Sequence, residues 1–211
     1  MNSSIEAIIR LLDDPDESIF SVVKQKLFEE GISVVKKLEQ TWETSGNPLL
    51  QKRIEEITQK IQFTHVCNNL KTWAYKGDHD LLEGSFWIAK YQYPDYDFSS
   101  YEFIVNQIIE DIKLEMSDDN TPLEKITILN HVFFQVHKFS RSYSTTNTPQ
   151  NYFINNVIQT KKGNYFALTL LYGGIAQRLG LPLQTLNLPD NFTLAYINPA
   201  VSELPIDENS A

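Results

Sequence analysis

Apolar residues in the first third of the chain recur three or four positions apart, which is the spacing of one face of an α-helix. One such stripe runs from Ile5 to Leu12, and a second runs from Ile19 to Leu27 and stops before Gly31. Asp13-Asp14-Pro15-Asp16 separates them, because proline interrupts a helix and aspartate caps the next one. We predict further helices at 33–42, 48–61, 63–75 and 81–91.

The remaining two thirds combine helical stripes with a short β-pattern near the end. Stripes at 104–114 and 123–136 predict two helices, the second starting at Thr121-Pro122. We predict loops at 91–97 and 137–150, helices at 152–158 and 164–178, and strands at 183–188 and 192–197. The sequence therefore predicts an α+β protein dominated by helices, with a small β-sheet, a helical N-terminal part over 1–95 and a core over 96–211.

Composition and charge narrow the classes of partner. With 42% hydrophobic residues the chain can bury a sizeable core, and its formal charge is −9. Such a surface repels nucleic acid and anionic membranes, so we predict no nucleic-acid or membrane partner. The N-terminal sequence lacks the pattern of a signal peptide, and the apolar stretches are too short to cross a bilayer, so we expect a cytoplasmic location.

The one cysteine and four histidines predict neither a metal site nor a cofactor. His131 and His137 are six positions apart, which does not place them on one helical face. Cys67 and His65 are two apart and do not face each other either, so we interpret Cys67 as a small buried residue. We expect His131 to bond within a packed helix and His79 to lie in an exposed turn.

Two segments resemble a known family when taken in order. The first is Lys162-Gly163-Asn164-Tyr165, whose predicted helix ends in Leu179-Gly180-Leu181-Pro182. The second is Asn187-Leu188-Pro189-Asp190-Asn191-Phe192. Together they resemble the SirB-type branch of the bacterial transglutaminase-like superfamily, which carries Gly-Asn-Pro, Leu-Gly-Leu-Pro and Pro-Gly-His-Phe. The opening Leu-Leu-Asp-Asp-Pro-Asp, followed by a helix, a glycine and another helix, resembles one HEAT-like pair.

The resemblance implies a papain-like core with a cysteine at the start of the central helix and a histidine on the following strand. Tyr165 stands at or beside the cysteine position, and Asn191 stands at the histidine position. A phenol with a pKa of about 10 stays protonated and is a poor acyl carrier, and a carboxamide cannot accept a proton near neutral pH. Asn198 is a weak candidate for the third, orienting residue. The resemblance thus implies no catalytic residues.

We therefore predict a non-catalytic transglutaminase-like module that binds a protein or peptide in a degenerate cleft formed by Asn164, Tyr165, Asn187 and Asn191. The alternative for these residues is that they only cap the helix and the turn. The alternative function is a cysteine-dependent transglutaminase- or peptidase-type enzyme with Cys67 as a relocated nucleophile. The sequence leaves the oligomeric state undetermined. The aromatic set Trp73, Tyr75, Trp87, Tyr91, Tyr93 and Tyr96 is expected to pack between helices, with an interaction face as the alternative.

Overall fold

A computed structural model describes residues 2–77, 79–142, 149–188 and 191–197 of the 211. The chain divides into two compact units, Met1–Thr72 and Trp73–Ala211. The first unit is helical, and the second combines helices with short strands. The predicted α+β class, dominated by helices, is confirmed. None of the helices in the described ranges combines the length and apolarity that crossing a membrane requires.

The first unit is built from amphipathic helices joined by short 3₁₀ turns. Its elements are α1 (Asn2–Arg10), a 3₁₀ turn (Leu11–Asp13), α2 (Glu17–Glu30), a 3₁₀ turn (Gly31–Val34), α3 (Val35–Thr44) and the first part of α4 (Pro48–Lys76). The side chain of Asp16 caps α2 by accepting from the Ser18 N–H at 2.8 Å, and Gly31 ends α2 with φ +62°. Both boundaries follow the predicted signals.

A buried arginine fixes the turn before α2. Arg53 is only 5% exposed, and its guanidinium donates to the main-chain oxygens of Leu12 and Asp14 at 2.9 and 2.6 Å. It also pairs with Glu17 at 2.7 Å and lies 4.1 Å from the ring centre of Phe20. Because every one of these partners belongs to the start of the unit, Arg53 ties α4 to the turn and to the first turns of α2.

The predicted break between 48–61 and 63–75 is wrong, because α4 is one helix of 29 residues. The sequence Ile61-Gln62-Phe63 contains neither glycine nor proline, so nothing interrupts the helical hydrogen bonds there.

The second unit packs its helices around one long central helix. Its elements are α5 (Leu81–Gln92), α6 (Phe98–Glu115), α7 (Pro122–Asn130), a π-helical segment (His131–Val136), a 3₁₀ turn (Pro149–Tyr152), α8 (Ile154–Thr160) and α9 (Tyr165–Arg178). Thr121 and Glu124 form a capping box at the start of α7, as the Thr-Pro signal predicts. α5 lies in this unit and packs on α9.

Two small sheets complete the second unit. β3 (Leu183–Leu188) and β4 (Asn191–Tyr196) form the antiparallel hairpin that the sequence predicts. β1 (Ser140–Arg141) pairs in parallel with β2 (Lys162–Gly163). The prediction of an uninterrupted loop over 137–150 is therefore wrong at β1, whereas residues 143–148 lie outside the described part. A two-residue strand is too short to show any alternation.

α9 is the centre of the core, and its small residues allow close packing. Leu171, Ile175 and Ala176 are fully buried. A Cβ added at Gly174 would lie 2.5 Å from Leu82 Cγ of α5, and one at Gly173 would lie 3.2 Å from Leu194 of β4. The two glycines thus let a helix and a hairpin approach the backbone of α9 more closely than side chains would permit.

The C-terminal end of α9 is held by an ionic network. The Arg178 guanidinium donates to Asp80 at 2.9 Å and to both carboxylate oxygens of Glu102 at 2.8 Å. Asp80 also caps α5, accepting from the N–H groups of Leu82 and Glu83. Although burial opposes its charge, the hydrogen bonds and charges of the two carboxylates raise the pKa of Arg178 above its usual value. One side chain therefore joins the end of α9 to α5 and α6.

Candidate functional site

Asn164 forms the start of α9. Its Oδ1 accepts from the Ala167 N–H at 2.8 Å, and its main-chain N–H donates to the Asn151 oxygen at 3.1 Å. The expectation that this residue caps the helix is confirmed. Its Nδ2 is buried and has no hydrogen-bond partner among the described residues. Asn164 therefore has a structural role, and its own Nδ2 remains an unused donor.

Tyr165 is the first residue of α9 and is 48% exposed. The next residue, Phe166, is 38% exposed, and its ring centre lies 5.0 Å from that of Phe192 in β4. The N-terminal end of α9 thus presents a phenol and an aromatic ring to solvent, next to the hairpin. Main-chain N–H groups at a helix start also favour negative charge at this position.

The hairpin places the two other predicted residues close to one another in the strand pairing. Asn187 pairs with Phe192, and Leu188 pairs with Asn191. The side chains of Asn187 and Asn191 lie outside the described part of the chain, as does Asn198. Because Phe192 contacts Phe166, the structure brings the neighbours of Tyr165 and Asn191 together. A binding role for the four residues stays a prediction.

Lys161 lies just before this site, and sequence reasoning missed it. Its backbone is left-handed, with φ +58°, and its Nζ lies 4.5 Å from the ring centre of Phe139. Burial lowers the pKa of the Lys161 amine. A left-handed lysine packed over an aromatic ring has no signal in hydrophobic periodicity, which explains why the sequence did not reveal it.

The histidines make separate contacts. His137 Nε2 lies 2.9 Å from Asp111, and the ring of His65 lies 3.4 Å from the Asn69 amide. His79 is exposed, as predicted, and its backbone is left-handed, with φ +44°, whereas residue 78 of the predicted turn lies outside the described part of the chain. His131 does not bond within a packed helix as predicted, since its side chain is 52% exposed and lies 4.0 Å from Glu115. The π-helical segment that begins at His131 turns Val132 and Phe133 into the core instead.

Cys67 lies on α4 in the first unit and is half-buried, so its interpretation as a small buried residue is only partly right. Its thiol has no hydrogen-bonded histidine in the part of the chain that the structure describes. Within the same described ranges, no three His, Cys, Asp or Glu side chains group closely enough to hold a metal ion.

The aromatic set is divided between core and surface. Trp73 Nε1 donates to the Asp80 main-chain oxygen at 2.7 Å, and Trp87 packs on the core of the second unit. Tyr75 and Tyr91 are instead 89% and 54% exposed, so the prediction of core packing is wrong for these two residues. Both lie on helices, where periodicity alone does not distinguish a buried from an exposed aromatic position.

Comparison with known proteins connects this geometry to a family. Residues 100–207 match the family model described as the transglutaminase-like superfamily. A UPF0162 protein of Xylella fastidiosa is 27% identical over 128 residues, which cover 61% of this chain and 43% of that protein. F-box only protein 21 of Mus musculus is 23% identical over 170 residues, covering 69% of this chain and 27% of that protein.

The chain thus spans less than half the length of these curated relatives. No solved structure matches it significantly. The matched segment begins within α6 and contains the whole of α9 and the β3–β4 hairpin, so the candidate site lies inside it.

Proposed function

The chain belongs to the transglutaminase-like superfamily, and we propose that it acts there as a non-catalytic, regulatory module that binds a protein or peptide. We assign it to the SirB-type branch because Gly163-Asn164, Leu179-Gly180-Leu181-Pro182 and Pro189 with Phe192 stand in the order and spacing of that branch's three motifs, although Tyr165, Asp190 and Asn191 depart from them. We expect a bacterial, cytoplasmic protein. Its similarity to a UPF0162 protein of a bacterium supports the assignment.

One observation carries the proposal: the N-terminal end of α9 holds a phenol where the family resemblance expects a thiol. At a helix start, a thiol would be activated by the helix dipole and by adjacent N–H groups. Tyr165 offers no sulfur nucleophile for that environment to activate, and a phenol is a poor acyl carrier. The hairpin beside it carries Asn191 at the position where the resemblance expects an imidazole. A carboxamide cannot act as a general base.

The same end of α9 has features of a binding surface. Tyr165 offers a hydroxyl and an exposed ring, and Phe166 and Phe192 add apolar area. The unpartnered Nδ2 of Asn164 is an additional donor. Aromatic side chains combined with a few polar groups are typical of surfaces that recognise proteins and peptides.

The competing hypothesis is a cysteine-dependent enzyme that uses Cys67. A cysteine nucleophile needs a base within about 3 Å or a strongly electropositive surrounding. The structure describes Cys67 on a helix of the first unit, whereas residues 100–207 carry the match to the family model. These observations favour the binding module.

A paired assay tests the two hypotheses. The purified chain is incubated with a glutamine-containing peptide and a fluorescent primary amine, and amine incorporation and ammonia release are measured. We expect neither reaction above background in the wild type. Turnover that Cys67→Ala abolishes would refute the binding module and support the relocated nucleophile.

A pull-down tests binding directly. The tagged chain is used to recover partners from native lysate of its source organism, with Tyr165→Ala as the test variant. Tyr75→Ala removes an equally aromatic, 89% exposed side chain that is not part of the candidate site, and it serves as the matched control. We expect the wild type and Tyr75→Ala to recover one stoichiometric partner that Tyr165→Ala loses. Equal recovery by both variants contradicts a role for the start of α9.

A further inference from the structure

A second cleft lies between the segment that follows α5 and the polar side of α8. Residues 92–96 line one side of it, and Asn155, Asn156 and Gln159 line the other. Its volume is about 520 Å³. It shares no lining residue with the start of α9 or with the β3–β4 hairpin. We call it the amide cleft.

Asn155 is a polar residue in an unusual environment. It is only 3% exposed, and its carbonyl oxygen Oδ1 is buried without a hydrogen-bond partner among the described residues. The neighbouring positions Ile154, Val157 and Ile158 are buried apolar core residues. Because a buried acceptor without a partner destabilises a fold, a carboxamide at this position is unexplained by packing alone.

Tyr96 supplies a second unused group in the same cleft. Its Oη is buried and also lacks a partner among the described residues. Burial, and then the nearby charge of Asp97, raise the pKa of the Tyr96 phenol, so it keeps its proton and can donate. Tyr93 Oη accepts from Asn156 Nδ2 at 2.8 Å, and this hydrogen bond joins the two sides of the cleft. Two residues that line the cleft thus carry an unused acceptor and an unused donor, both buried beneath its surface.

The negative charge of Asp95 determines which charge a ligand of the cleft can carry. Asp95 is exposed and has no ion-pair partner among the described residues, and no lysine or arginine lines the cleft. Lys90 lies nearby, but its Nζ donates to the Tyr96 main-chain oxygen at 2.8 Å. Phosphates and carboxylates would therefore meet a carboxylate without a compensating cation. A neutral or cationic ligand fits better.

We propose that the amide cleft binds a polypeptide segment through a main-chain amide, with a lysine or arginine side chain of that segment directed to Asp95. A peptide unit carries one donor and one acceptor, so its N–H would donate to Asn155 Oδ1 and its carbonyl oxygen would accept from Tyr96 Oη. The ring of Tyr93 and Pro94 would contact the apolar part of the segment. This site does not depend on the proposed function of the start of α9.

The test uses the full ¹⁵N-labelled chain and two blocked pentapeptides, acetyl-Gly-Gly-Lys-Gly-Gly-amide and its counterpart with glutamate at the centre. We expect saturable NMR shifts from the lysine peptide in backbone amides of residues 92–96 and 154–159, and weaker binding of the glutamate peptide. Asn155→Leu, which keeps the volume and removes the amide, should weaken binding about tenfold or more. Tyr75→Ala, which removes an exposed ring outside both sites, should leave binding unchanged.

Tyr96→Phe provides an independent arm, because it removes only the hydroxyl group. We expect about three- to tenfold weaker binding, and this variant decides the question if Asn155→Leu does not fold. The proposal is overturned if the lysine peptide causes no saturable shifts in the cleft, or if both variants bind it like the wild type. Tighter binding of the glutamate peptide, or equally tight binding of N-methylacetamide, would also overturn it.

Discussion

The two ends of α9 differ in how they are held. At the C-terminal end, Arg178 joins two carboxylates from other helices through short, partly buried hydrogen bonds. At the N-terminal end, one asparagine caps the helix, and the next two side chains are exposed. The C-terminal end is therefore fixed by side chains from the neighbouring helices, whereas the N-terminal end exposes a phenol and an aromatic ring beside the hairpin. The residues that stabilise α9 and the residues that it presents to solvent lie at opposite ends of the helix.

Removing the ionic network should have the largest effect. In Arg178→Met, Asp80 and Glu102 lose their shared cation while remaining close to each other. We expect a loss of about 2–3 kcal/mol in the free energy of unfolding, at the lower end for a buried pair because all three side chains retain some exposure. Urea denaturation with constant m-value measures it.

Lys113→Met is the matched control for that variant, because it removes an exposed lysine that pairs with Glu110 one turn away. We expect a change below about 0.5 kcal/mol. Equal effects of the two substitutions would show that the Arg178 network is no more important than an ordinary surface pair.

The middle of α9 should respond to alkaline pH. Burial raises the pKa of Tyr172 to about 12, and its hydroxyl donates to Asn130 at 2.9 Å. Since the pKa is higher in the folded than in the unfolded chain, its contribution is complete below about pH 10 and is lost as the pH rises toward 12. We expect a loss of about 2 kcal/mol across this range.

Tyr172→Phe should remove that part of the pH dependence, leaving the contributions of the other tyrosines. The measurement compares unfolding free energies of wild type and variant at pH 9 and at pH 11.5. Parallel declines in the two proteins would contradict the assignment to Tyr172.

The cap at the start of α9 should contribute less than an ordinary cap. Asn164→Ala removes the bond to Ala167 N–H but also removes a buried, unpartnered Nδ2. We expect a loss of about 0.5 kcal/mol, against about 1 kcal/mol for Asp16→Ala, which removes the corresponding cap of α2. Denaturation of both variants compares the caps. A larger loss of unfolding free energy for Asn164→Ala than for Asp16→Ala would indicate that Nδ2 has a hydrogen-bond acceptor in solution.

The smallest expected effect concerns the electrostatics that a nucleophile would experience. In a Cys67→Ala background, Tyr165→Cys introduces a thiol at a helix start. We expect its pKa to lie about half a unit below the usual 8.5, from the helix dipole alone. The control is Tyr75→Cys, which introduces a thiol at the C-terminal end of another helix, α4, where the helix dipole has the opposite sign. The pH dependence of iodoacetamide alkylation measures both values, and identical pKa values would show that α9 retains no activating field.

The fold was predictable where boundaries carry local chemistry. Asp16, Gly31 and Thr121-Pro122 each mark a helix end, and the structure places helix ends there. The continuity of α4 was not predicted, because its buried apolar residues keep a three- to four-residue spacing only from Leu50 to Ile61, and the next one, Val66, follows five positions later. β1 was missed because its pairing with β2 joins residues about twenty positions apart, and no local signal reports such a contact.

The candidate site was predictable only through its helix cap and the family resemblance. Asn164 follows a known capping preference, so its position could be derived from sequence. Asn155 could not, because a polar residue on a short helix is normally assigned to the surface. It is 3% exposed and shares a cleft with residues 92–96, a segment about sixty positions earlier in the chain that contains Pro94.

Gly173 determines how closely β4 can approach α9. A methyl group there would meet Cδ2 of Leu194 at 3.2 Å, so this side chain, or the strand that carries it, would have to move by a few tenths of an ångström. The same strand carries Phe192, which contacts Phe166 beside Tyr165. Alanine in place of this glycine would therefore shift Leu194 or its strand without altering any hydrogen-bonding group. One substitution on α9 would thus adjust where the hairpin lies beside Tyr165.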